Sequence, residues 1–346
     1  MRRREVLAAG AAAAALPLAP ARAADAPLRR IGFASCIHQD RPQPLMDHLA
    51  AQPFDLFLFG GDNVYCDRPY SRERLRSAYA LATAAPGYAA LRRAVPHLAV
   101  WDDNDYSPGD SGADFALKQQ SKDEFLAFWN LPSTDPRRGR EGLYHAQVYG
   151  PPGQQVQVIL LDTRWFRSAI QRERIRLPGD GGYVPDADPA KTMLGQAQWR
   201  WLEEQLRQSA DVRLLVSSVQ VLAEGHRWER WGNLPAERER LLRLIGSTGA
   251  RGVVLLSGDR HFAALYRQPQ GAPYTLTELT ASGVTHSWDS PTDQQANRVG
   301  APFTGFNYGT VEIDWAARSL RLAARDGQGS ERLGQTLHID ELKART

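Results

Sequence analysis

The chain has 346 residues, of which 42% are hydrophobic and 23% charged, ordinary values for a soluble globular protein able to bury a sizeable core. The formal charge of +3 depends on the N-terminus. Removing Arg2, Arg3, Arg4, Arg22 and Glu5 with a leader leaves a near-neutral balance, so charge gives no support to nucleic-acid or polyanion binding.

That leader comes first in chain order. Arg2–Arg4 precede an Ala-rich apolar run ending near Leu18, and Ala21-Arg22-Ala23 forms a small-residue cleavage site. We expect residues 1–23 to be an export signal. Arg3-Arg4 points to the twin-arginine export machinery, with a plain secretory signal as the alternative, and to a periplasmic or secreted protein. The run is too short and too Ala-rich to span a bilayer comfortably, so no transmembrane segment is expected in the mature form.

A first strand is predicted over Arg30–Ser35, ending at Cys36, then a helix near 43–51 and an apolar strand over 55–59 that runs into Gly60-Gly61-Asp62-Asn63-Val64-Tyr65. Helices are predicted around 71–82 and 87–94. The run His97–Trp101 ends in Asp102 and Asp103, and 119–129 is amphipathic. A strand over 156–161 ends in Asp162-Thr163-Arg164. Residues 168–192, rich in Arg, Gly, Pro and Asp, read as a surface loop serving a site. A helix over 195–208 leads to a strand at 213–216 that ends in Ser217-Ser218-Val219-Gln220. A helix over 235–245 leads to a strand at 252–256 ending in Ser257-Gly258-Asp259-Arg260-His261, and alternation over 274–339 predicts further strands. Strands alternating with helices predict an α/β fold, and with no obvious linker residues 24–346 read as a single domain.

An Asp after a strand is often only a turn residue or a helix cap. Here several strands end in residues able to bind metal: Cys36, Asp62 with Tyr65, Asp103, Gln220, and Asp259 with His261. Such ends lie where open α/β sheets hold their ligands. Carboxylate and amide oxygens suit hard cations such as calcium, whereas thiolate, imidazole and phenolate suit iron or zinc. The set could hold two unlike metals around one bridging carboxylate, an arrangement that serves in-line displacement at phosphorus.

These motifs resemble the PhoD-like alkaline phosphatase and phosphodiesterase family of the calcineurin-like metallophosphatases. The resemblance rests on Ala34-Ser35-Cys36, Gly61–Tyr65, Trp101–Tyr106, Leu161–Arg164, Ser217–Gln220, Trp228–Arg238 and Ser257–His261, in family order from about residue 31 to 262. It implies a four-layer fold, two mixed sheets sandwiched between helices, and a metallophosphoesterase that cleaves small phosphate mono- or diesters by attack of a metal-activated hydroxide or oxide. It also implies ferric iron beside calcium, with zinc or manganese as alternatives. Carried over residue by residue, Cys36, Asp62, Tyr65 and His261 would bind the iron. Asp62 would bridge to a second metal on Asp103, Gln220 and Asp259, and Arg164 would hold phosphate oxygens.

Asn104 stands where the family commonly has His. An amide donates a hydrogen bond, so Asn104 could contact substrate, but it supplies no proton. His226 is the candidate substitute acid, with an ordinary surface histidine as the alternative. A phospholipase D-type phosphodiesterase and a non-catalytic metal- or phosphate-binding descendant are the rival readings. Cys36 and Cys66 are either a disulfide or, as the resemblance implies, a metal thiolate and a buried free thiol. His48, His97 and His145 read as structural. His286 is left as a residue that could approach the site from the C-terminal strands, and Trp228 and Trp231 as packing residues that could wall the mouth.

Overall fold

A computed structural model of the chain describes residues 26–66, 68–175, 180–288 and 296–344. The expected export signal at 1–23 lies outside the described residues. Among those described, no helix is long and apolar enough to cross a membrane.

The strands are β1 (Arg30–Ala34), β2 (Leu56–Gly60), β3 (His97–Val100), β4 (His145–Tyr149), β5 (Val156–Leu160), β6 (Val212–Ser217), β7 (Val253–Ser257), β8 (Ala263–Gln268), β9 (Leu276–Ala281), β10 (Asn307–Asp314), β11 (Ser319–Asp326) and β12 (Glu331–His338). The helices are α1 (Pro44–Ala50), α2 (Arg72–Ala84), α3 (Pro86–Ala94), α4 (Asp103–Tyr106), α5 (Lys118–Phe128), α6 (Gly195–Leu206) and α7 (Pro235–Ser247). Proline at the first turn of α1, α3 and α7 fits the helix start, where no intrahelical N–H bond is lost.

Two six-stranded mixed sheets result, ordered β12-β11-β10-β1-β2-β3 and β4-β5-β6-β7-β9-β8. In the first, β1, β2 and β3 run parallel; in the second, β5, β6, β7 and β9 do. Antiparallel strands complete both sheets. β2, β5, β6, β7 and β9 are buried at every residue, as strands covered on both faces must be. The sheets face each other through β9 and β10, where Leu279 and Ala281 approach Gly309. Outside, Tyr88 of α3 and Trp129 after α5 pack on Phe59 of β2, and Gln157 of β5 donates to the Gln205 carbonyl of α6. The layers are therefore helix, sheet, sheet, helix.

Two edge strands, β4 and β8, were not expected. β4 is half exposed, and β8 starts two residues after His261, so neither carries a clean period-2 signal.

Candidate metal centre

Seven parallel strands point their C-terminal ends at one place. Within five residues of those ends come Cys36 (β1), Asp62 (β2), Asp103 (β3), Arg164 (β5), Gln220 (β6), Asp259 (β7) and His286 (β9). The backbone there is forced. Cys36, Asp62, Asp259 and His261 have φ of 62°, 51°, 68° and 54°, in the left-handed region. That conformation costs a non-glycine residue roughly 1–2 kcal/mol, and such residues cluster at functional sites. Gly61 permits the turn into Asp62. Its φ is +110°, and a Cβ there would lie 2.7 Å from Asp102 Cβ.

The donor atoms converge on Asp62. Cys36 Sγ and Tyr65 Oη lie 3.6 and 3.2 Å from Asp62 Oδ2, and Tyr65 Oη lies 3.3 Å from His261 Nε2. Donor atoms of Cys36, Asp62 and His261 fall within 4.8 Å of one another, as do those of Asp62, Asp102 and Asp103. Asp62 is common to both sets. Asn104 lies between the carboxylates: its backbone N–H donates to Asp62 Oδ1 (3.1 Å), and its side-chain amide to Asp62 Oδ2 (3.1 Å) and Asp103 Oδ1 (3.2 Å).

The family model described as PhoD-like phosphatase matches residues 31–321. This chain belongs to the PhoD-like phosphatase family. Alkaline phosphatase D of Bacillus subtilis (strain 168) is 24% identical over 329 residues, a match covering 80% of this chain. The chain spans about half the length of that curated relative, 54% of it. Among solved structures, a structure of PhoD superposes with a TM-score of 0.76 at 19% identity, covering 94% of this chain and 73% of that one. Purple acid phosphatase PPD1 from yellow lupin (Lupinus luteus) seeds gives 0.62 at 12% identity, covering 93% and 57%. At these identities the likeness concerns the fold, which is of the metallophosphatase type.

In this PhoD-like chain the donor set fits a cation. Burial, reinforced by the neighbouring carboxylates, pushes the Asp62, Asp103 and Asp259 carboxyls well above the usual range. The Cys36 thiol and Tyr65 phenol are raised by burial and by Asp62. Burial, then His286 and the charges of Arg260 and Arg41, holds the His261 imidazole well below its ordinary range. A buried cluster of acidic groups beside a neutral imidazole favours a cation that would let the acids ionise. Cys36 and Cys66 are both buried and not joined in a disulfide, so none competes for the Cys36 thiol.

Arg164 and His226, two of the expected site residues, are both buried. Arg164, expected to hold phosphate oxygens, is 0% exposed and enclosed by carboxylates: Nε donates to Asp102 Oδ1 at 2.6 Å, and the other nitrogens lie 2.7 Å from Glu229 Oε2 and 3.8 Å from Asp103 Oδ1. His226 is no surface residue, being 2% exposed. Its Nδ1 accepts from the Trp228 backbone N–H (3.1 Å), which puts the ring proton on Nε2 and directs it at Gln220 Oε1 (3.0 Å). That proton orients Gln220, whose amide nitrogen donates to Tyr266 Oη and Thr280 Oγ1, both at 2.9 Å.

Other residues become visible only in three dimensions. Asp102 joins the second donor set and is hydrogen-bonded to Arg164 and Ser218. The Arg-rich loop connects to the centre through Tyr183 Oη, which donates to Asp110 Oδ2 at 2.6 Å, and the Asp110 N–H, which donates to Asp103 Oδ2 at 3.1 Å. Trp231 is wholly buried, whereas Trp228 packs 5.5 Å from the exposed Trp288, itself stacked on His261.

Proposed function

We propose that this protein is an exported, metal-dependent phosphoesterase acting on small phosphate mono- or diesters. The observation that carries the reading is the position of Asp62, whose carboxylate belongs to two donor sets of unlike chemistry. Cys36, Tyr65 and His261 offer sulfur, phenol oxygen and imidazole, suited to iron, with zinc or manganese as alternatives; Asp103, Gln220 and Asp259 offer oxygens suited to calcium. Export rests on the basic, apolar and small-residue pattern of residues 1–23.

When bound, a cation pair would supply Lewis-acid polarisation of phosphoryl oxygens and activation of water. The protein residues do the positioning. Asn104 ties the Asp62 and Asp103 carboxylates together through one amide, and so fixes their spacing. Arg164 braces Asp102 against Glu229 beneath them, and Arg167 shares Glu229 at 2.8 Å. His226 holds the Gln220 amide with its oxygen's second lone pair still available. With Asn104 engaged and His226 turned to Gln220, neither is placed as a proton donor to a leaving group, which favours esters of acidic alcohols such as aryl phosphates.

Asp62→Asn is expected to abolish turnover of an aryl phosphate and of its diester while the chain still folds, as its far-ultraviolet circular dichroism would show. Wild-type rates in that variant would contradict the reading.

A further inference from the structure

His286 lies outside the donor set described above, yet its Nε2 is 3.3 Å from Tyr65 Oη and 3.0 Å from His261 Nε2. The hydrogen accounting at Thr285 decides what that nitrogen carries. Thr285 Oγ1 has one proton and donates it to the Cys36 carbonyl at 3.1 Å. The same oxygen accepts the His38 N–H at 2.9 Å and faces His286 Nδ1 at 3.0 Å. With the hydroxyl proton committed, the proton between Thr285 and His286 must sit on Nδ1. The neutral ring therefore presents a bare Nε2 lone pair to Tyr65 and His261. This is the tautomer a ligating histidine needs, its other nitrogen held by a polar neighbour.

We propose that His286 is a further ligand, through Nε2, of the metal held by Cys36, Asp62, Tyr65 and His261, a site to which it brings a second imidazole. The assignment rests on the metal-centre reading above. Two imidazole nitrogens 3.0 Å apart must share either a proton or a cation, and three donor atoms of different residues meet here: Tyr65 Oη, His261 Nε2 and His286 Nε2. His38, the other nearby histidine, stacks flat on Tyr65 with ring centroids 4.6 Å apart, and its Nδ1 accepts the Asp40 N–H at 3.2 Å. It supports the phenol rather than joining the donors. The Thr285 link also ties His286 to the backbone of Cys36, so the two ends of the cluster are fixed by one hydroxyl.

The test uses the full chain stripped of metal and reloaded with one equivalent of Co²⁺, with X-ray absorption to count imidazoles and the thiolate-to-cobalt band to report occupancy at Cys36. The other proposed ligands, at both metals, include no histidine besides His261, so the count is unambiguous. We expect two imidazoles per cobalt in the wild type and one in His286→Ala, with Co²⁺ affinity in that variant lowered at least about 10-fold. Thr285→Val should keep two imidazoles and lose less affinity. One imidazole in the wild type, or unchanged affinity in His286→Ala, overturns the assignment and leaves the metal centre standing. A wild type with no thiolate-to-cobalt band overturns the metal-centre reading and this one together.

Discussion

The two sheets bring residues to the site by the same device, parallel strands ending in tight turns, but what they bring differs. The first contributes Cys36, Asp62 and Asp103, exposed by 0%, 1% and 6%. The second contributes Asp259, His261 and His286, all partly open to solvent, together with buried Arg164 and Gln220, which reach across or support. The first sheet thus supplies the floor and the second the mouth and the bracing. Each half is electrostatically incomplete alone: Asp102 follows β3, and its counter-charge, Arg164, follows β5 of the other sheet. The Arg164–Asp102 pair therefore forms only where the two sheets meet.

Cutting the Arg164 link should have the largest effect on stability. Arg164→Met leaves Asp102 buried without its cation and Glu229 with Arg167 alone, and losing one partner of a buried ion network costs about 3–5 kcal/mol. Urea unfolding would measure it, and a loss below about 1 kcal/mol would mean that the halves are held by packing alone. Gly61→Ala attacks the floor instead. The positive φ and the contact with Asp102 together predict about 2–4 kcal/mol lost and a displaced Asp62. Metal affinity should fall with it; an unchanged unfolding midpoint would show the turn to be adaptable.

A pH effect, smaller again, belongs to the first sheet and its neighbour. Burial holds His97 of β3 and His145 of β4 down at about 4. Both bind a proton near pH 6.5 when unfolded, so the stability they contribute above that pH is lost as pH falls from 6.5 towards 4. For the partly buried His97 this amounts to about 1–2 kcal/mol at pH 5. His97→Asn should shrink the drop in unfolding free energy between pH 7 and pH 5 by that amount, and an identical drop would remove His97 from the account. The exposed Arg243–Glu239 pair, 3.1 Å apart on α7, sets the lower limit: Arg243→Gln should change stability by no more than about 0.5 kcal/mol.

Much of this organisation was legible in the sequence because local pattern determines it. The apolar runs ending in Cys36, Asp62, Asp103, Gln220 and Asp259 are short buried strands, and the structure places them within a residue or two of where periodicity does. What was hidden depends on pairing over long distances. The alternating tail reads as a run of strands, but nothing local reveals that β9 runs parallel to β7, Leu255 opposite Glu278, and so delivers His286 to the same sheet edge. Arg164 is adjacent in sequence to Asp162 and Thr163, and nothing there reveals that Asp102, 62 residues away, and Glu229 enclose it. His226 is buried although its neighbours Glu224 and Gly225 are exposed, so the polar stretch Glu224–Arg227 gives no local sign of that burial.

A carboxylate that joins two distinct metal sites should control the occupancy of both, and metal stoichiometry of the purified full chain reads this out for Asp62. Elemental analysis should find both metals in the wild type, a loss confined to the first in Cys36→Ser, a loss confined to the second in Asp259→Asn, and a loss of both in Asp62→Asn. An Asp62→Asn protein that keeps both metals at wild-type stoichiometry would mean that Asp62 does not bridge them.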